Sequence, residues 1–216
     1  MAEFNLRHNI SETVAQADLE YYAGHTAPSP DMTHAIQTVV ALDRAALSTN
    51  TKWRELADQE FRNTYQQFCF PPFYMFSENA GNGGDVLYLT SGAGFLQSLI
   101  YGYGAQRCCT SLECSPLCIA DYTAMSWCAG GVRVLPDGLQ LRPVLPPNST
   151  RFALKGIQFL GSVLSLSVEH KIMRVTARAG DGAASLVLHD ASSKASPMQG
   201  GVWSGPLQRV VLCPVR

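Results

Sequence analysis

From Gly131 onward the chain breaks into short apolar runs, and this pattern narrows the possible folds more than any other feature. Val132 to Val134, Leu139 to Leu141, Arg151 to Ile157, Val163 to Val168, Ile172 to Thr176 and Ala184 to Leu188 are such runs, with Phe159 standing alone. Several alternate apolar with polar residues, as a strand buried on one face must, and turn residues interrupt them about every eight to twelve positions. Pro136-Asp137-Gly138 and the stretch from Ala179 to Gly182 are turns with a mechanism, since glycine supplies positive φ without steric cost. The pattern predicts an antiparallel β-sandwich over 131–216, with Val202 to Arg216 adding one more strand.

The first half has a different texture. Residues 1–30 read as a lead-in with one acidic, aromatic knot, Asp18 to Tyr22. Pro28 and Pro30 punctuate a loop, after which Asp31 can cap a helix that carries Met32, Ala35, Ile36, Val39, Val40 and Ala46 on one face. A second helix starts near Asn50 or Thr51, with Trp53, Ala57, Phe61 and Tyr65 on its inner stripe. These wide apolar stripes are too few to close a core of their own.

The stretch from Phe73 to Gly104 holds the most chemistry. An aromatic run carries a lone carboxylate, Glu78, followed by a turn rich in glycine and asparagine and a short strand-like run from Val86 to Leu89. Thr90 and Ser91 are suitable N-caps for a helix with Phe95, Leu96, Leu99, Ile100 and Tyr103 at helical spacing, and Gly102 and Gly104 end it. An acid beside a helix N-terminus made of small residues suits a sugar or anion, although Glu78 alone reads most simply as a solvated loop acid.

Composition excludes several classes. With 46% hydrophobic and 15% charged residues in 216 positions, the chain can bury a core. A net charge of −1 leaves no footprint for nucleic acid or an anionic membrane. No apolar run reaches the roughly 20 residues that span a bilayer, and the N-terminus lacks the basic and apolar regions of a secretory signal. The expected location is cytoplasmic. Of seven cysteines, five (Cys108, Cys109, Cys114, Cys118 and Cys128) crowd into 105–130. Thiolate clusters bind zinc, but these spacings lack the two-residue gaps of zinc sites and no histidine lies among them. The reading is no metal and no cofactor, with an irregular insertion at 105–130. His25, His34 and His170 read as surface or packing residues, and Trp53, Trp127 and Trp203 are too scattered to form a sugar platform.

Several segments in order resemble glycoside hydrolase family 65. Asp18-Leu19-Glu20-Tyr21-Tyr22 followed by Met32-Thr33-His34-Ala35 resembles a helical-barrel motif of that family. Phe76-Ser77-Glu78-Asn79 resembles its W-T-E-N segment, and Leu89 to Gln97 resembles L-T-G-x-G-G-F-L-Q. Phe95 to Gly104 continuing at Gly131 to Pro146, and Leu154 to Ile157 with Val175 to Gly180, resemble the barrel end and the β domain. The resemblance covers nearly all of 18–180 apart from the cysteine segment, which interrupts a junction that is tight in the family.

This resemblance implies an α+β chain, with the last helices of a six-fold α/α barrel at 1–104, the insertion at 105–130, and an antiparallel β-sandwich at 131–216. It implies an inverting α-glucosidase that hydrolyses glucose from glucosyl-galactosyl-hydroxylysine, or a disaccharide substrate at family level. Glu78 matches a glutamate that would activate water as general base, while the general acid lies upstream of the matched segments. Phe76 takes the place of the motif tryptophan, keeping an apolar wall and losing a donor. The phosphorylase branch holds phosphate with a histidine and a serine, which align with Tyr88 and Ser91, so hydrolysis fits better. Phe76 and Ser91 are the implied substrate contacts. The chain is expected to be inactive alone, and the alternative is a non-catalytic β-sandwich or interaction product of the same locus.

Overall fold

The computed structural model describes residues 11–27, 31–47, 50–103, 131–135, 138–190, 195–198, 201–206, 208 and 210–214. The cysteine cluster lies outside them. The protein is α+β, and it divides into two compact units, Met1–Gly102 and Tyr103–Arg216.

The first unit opens with helix α1, Glu12–His25, whose N-terminus is capped by Ser11, its hydroxyl accepting from the Val14 N–H at 3.3 Å. This helix occupies a stretch that the sequence pattern alone gives as a lead-in. Its apolar stripe is narrow: Ala15 and Leu19 are buried, while Val14, Tyr21 and Tyr22 are at least half exposed. Helix α2, Met32–Leu47, is buried along most of its length, and α3, Lys52–Gln66, buries Trp53, Ala57, Glu60, Phe61 and Thr64. Of the predicted stripes, Ala35, Val39, Val40, Trp53, Ala57 and Phe61 are buried, and Met32, Ile36 and Tyr65 are half-buried.

A three-stranded antiparallel sheet follows, built of β1, Cys69–Phe70, β2, Met75–Asn79, and β3, Gly83–Val86, in that order. The turn between β2 and β3 passes through Gly81 at φ 71°, a left-handed conformation that favours glycine. The predicted strand from Val86 to Leu89 is displaced, since β3 ends at Val86. Leu87 at φ 69° swings the chain out, leaving Leu87 and Leu89 exposed.

Helix α4 then runs Leu89–Gln97 and continues as a π-helical segment, Ser98–Tyr103. Its N-cap is Tyr88, not Thr90 or Ser91: the Tyr88 carbonyl accepts from Ser91 N–H at 3.1 Å, which puts Ser91 inside the first turn. Small residues let α4 approach α2 closely. A Cβ at Gly94 would stand 3.1 Å from the Ala35 Cβ. Phe95 fills the space beside them, with ring centroids 5.5 Å from Phe61 and 5.6 Å from Phe76.

The second unit has two antiparallel sheets. Strands β4 to β12 are Gly131–Leu135, Gly138–Arg142, Arg151–Phe159, Ser162–Glu169, Ile172–Ala179, Leu186–His189, Ala195–Pro197, Val202–Pro206 and Val210–Pro214. One sheet has the order β10-β9-β12-β5-β4 and the other β11-β8-β7-β6. Alternation does what the sequence predicts: Leu164, Leu166 and Val168 of β7 with Met173 and Val175 of β8 supply one buried face. Leu139, Leu141, Leu186, Leu188, Val210 and Leu212 supply the core of the other sheet. The tail from Val202 contains two strands, β11 and β12, rather than one. Strands of five residues, one of them holding Gly205 and Pro206, leave a weak periodic signal.

Candidate functional site

Glu78 sits on β2, the central strand of the small sheet, and not on a loop. Alternation buries Ser77 beneath the strand, where its hydroxyl donates to the Asn79 carbonyl at 3.0 Å, and leaves Glu78 half-buried on the opposite side. Backbone hydrogen bonds fasten this strand to both flanking helices. The Asp31 N–H donates to the Glu78 carbonyl at 3.4 Å, and the Tyr88 N–H donates to the Phe76 carbonyl at 2.7 Å.

The predicted trio is thereby gathered in one region. The Phe76 ring lies against the first turn of α4, 3.5 Å from where a Cβ on Gly92 would stand. Ser91, one residue before, is completely buried. Tyr88 donates its hydroxyl to the Met32 sulfur at 3.9 Å.

Beneath Ser91 lies a polar group that the sequence reading assigned otherwise. Asp31 was expected to cap α2; its carbonyl accepts from the His34 N–H at 3.0 Å, but both carboxylate oxygens are buried without a hydrogen-bond partner among the described residues. Burial pushes the Asp31 carboxyl up to about 6, while the nearby Ser91 hydroxyl and the His34 ring draw it partly back. Ser91 is near enough to favour the charge, yet its Oγ is not aligned for a hydrogen bond by distance and angle. Burial, and then the Asp31 charge, also push the Cys69 thiol up.

One turn along α2, His34 Nδ1 meets Glu60 Oε2 at 2.6 Å, both side chains at most 10% exposed. His34 is thus a packing residue, as read. Its partner went unseen because the contact spans 26 positions and joins two separate helices. Among the described residues no group of three or more His, Cys, Asp or Glu side chains could hold a metal ion, and no helix is long and apolar enough to cross a membrane.

Residues 132–194 match the model of the glycosyl hydrolase family 65, C-terminal domain. Proteins named protein-glucosylgalactosylhydroxylysine glucosidase are similar over both units. The one from Dictyostelium discoideum is 29% identical over 164 residues, covering 76% of this chain and 18% of its own length. That from Danio rerio is 26% identical over 183 residues, covering 82% and 22%, and that from Gallus gallus 25% over 177 residues, covering 80% and 20%. No solved structure matches the chain. The family to which these findings show similarity is glycosyl hydrolase family 65, through its C-terminal domain. The chain corresponds to a C-terminal part of a glycosyl hydrolase family 65 protein, and it spans about a fifth of the length of the curated relatives it matches.

Proposed function

We propose that the chain is the C-terminal part of an inverting α-glucosidase that removes glucose from glucosyl-galactosyl-hydroxylysine, with Glu78 as general base. One observation carries the reading: the similarity to the named glucosidases runs through the segment that holds Glu78 as well as through the β domain. Residues 1–104 are assigned to the closing helices of the family's α/α barrel, 105–130 to an insertion, and 131–216 to the β-sandwich.

The chemistry asks for two carboxyl groups roughly 6.5–9.5 Å apart, one protonating the leaving oxygen and one taking a proton from the attacking water. Glu78 takes the second role. A half-buried carboxylate on a strand tied down on both sides keeps its aim on that water, and Phe76 supplies an apolar wall beside it. Ser91 would contact substrate from the first turn of α4, and its burial means that a shift of that turn must precede any such contact. The acid comes from chain upstream of the matched segments. General acid catalysis contributes typically 10²- to 10⁴-fold, so the isolated chain is inactive on this reading and serves within a longer protein or as a non-catalytic product of the same locus.

The test is glucose release from glucosyl-galactosyl-hydroxylysine by a protein that joins this chain to the upstream portion of a relative. Release that disappears on Glu78→Gln supports the assignment. Undiminished release in that variant overturns it.

A further inference from the structure

Away from Glu78, the second unit contains a cleft of about 390 Å³ where the free edges of its two sheets, β10 and β11, border the same opening. Ligand-binding clefts begin at roughly 300 Å³. The opening lies largely beyond the segment that matches the family model, which ends at 194. We propose that this cleft binds a neutral pyranose of a glycan, stacked on Trp203.

The backbone explains why the indole is available. In β11, Trp203 pairs with Val175 and Gly205 with Met173, both of which are fully buried, so Trp203 and Gly205 share the inner face of the sheet at its edge. The ring packs against Gly205: a Cβ there would stand 2.5 and 2.6 Å from two indole carbons. The missing side chain at 205 therefore makes the space in which the ring rests along the strand. Trp203 remains partly exposed at this edge strand, so the indole is open to the cleft.

The polar lining selects the ligand. Asp190, Ser196, Ser204 and Gln208 border the cleft. The Ser196 hydroxyl and the Gln208 amide both donate and accept, which matches the dual character of sugar hydroxyls. Among the described residues that line the opening there is no lysine, arginine or histidine. A cation could sit on the indole beside Asp190, but it offers no acceptor to the amide and hydroxyl donors and finds a single ring instead of a cage. A pyranose uses both kinds of surface, with its C–H face on the indole and its rim of hydroxyls toward the polar groups.

The experiment is a titration of the whole chain with methyl α-D-glucopyranoside and with methyl β-D-galactopyranoside, read by saturation-transfer NMR and tryptophan fluorescence. The expected result is saturable binding of at least one, with a dissociation constant on the order of 1 mM. Trp203→Ala should abolish it, and so should Gly205→Ala, which keeps the indole and displaces it. Gln208→Ala, in a connecting segment where the fold is least at risk, should weaken binding roughly threefold to tenfold, the worth of one hydrogen bond. Trp53→Phe and Glu78→Gln should leave it unchanged, so the result is independent of the catalytic reading. No saturable signal with either sugar overturns the proposal, as does equal binding by the Trp203 and Gly205 variants. Binding of tetramethylammonium in place of both sugars overturns it in favour of a cation cleft.

Discussion

Asp31 is held where a carboxylate is least comfortable. It is fully buried, neither oxygen has a hydrogen-bond partner among the described residues, and its carboxyl is pushed up from 3.8 to about 6. Below 3.8 the group is protonated in folded and unfolded chain alike. Between 3.8 and about 6 the folded protein keeps a proton that the unfolded chain releases, so stability falls as pH rises through this window and stays lowered above it. At 1.36 kcal/mol per pH unit the loss is at most about 3 kcal/mol. Asp31→Asn should therefore raise stability at neutral pH by up to that amount and remove the slope, with no gain below 3.8; urea denaturation of both proteins across the window measures it. If both show the same slope, the buried acid is not its source. The His34–Glu60 pair makes the opposite prediction. His34→Ala strands a buried Glu60 and should cost roughly 3–5 kcal/mol, whereas His34→Leu combined with Glu60→Met should recover most of that, as measured by the same denaturation series.

Among the elements, β5 is the most constrained. All five of its residues are buried between β12 and β4, and a Cβ on Gly138 would meet the Leu212 carbonyl oxygen of the neighbouring strand at 2.6 Å. Backbone in the middle of a sheet cannot retreat as a side-chain tip can. Gly138→Ala should cost about 1–3 kcal/mol in a thermal or urea melt, while Gly156→Ala, with nothing near its Cβ position but φ at 80°, should cost less. Gly138 was legible only as a turn residue after Pro136-Asp137; its tight contact with β12 depends on a strand that arrives some seventy positions later and could not be read locally. The same limit explains the turn between β7 and β8. His170 and Lys171 both take positive φ, the geometry of a two-residue hairpin, without the glycine or asparagine that would announce it. Where one face is simply apolar, as in β7 and β8 or in α2 and α3, periodicity sufficed. Helix α1 escaped because two buried residues, Ala15 and Leu19, make too narrow a stripe, and the cap at α4 escaped because Tyr88 caps by backbone alone.

At the scale of the whole molecule, the region around Glu78 can be separated from the stability of the fold. Glu78 makes its structural contribution through its carbonyl, which accepts from Asp31, and no hydrogen bond to its carboxylate stands among the described contacts of β2. A half-buried carboxylate of this kind can become an amide of the same shape at little cost, within about 0.5 kcal/mol by the usual behaviour of surface substitutions. Glu78→Gln should then leave the denaturation midpoint of the chain in place while abolishing glucose release in the longer protein. That pairing is diagnostic because Asp31, Ser91 and the His34–Glu60 pair lie close by and are buried: substitutions there alter stability as well as any activity. If Glu78→Gln shifts the midpoint by several kcal/mol, its carboxylate is part of the packing of the small sheet, and loss of activity in that variant would report a displaced strand instead of a missing base.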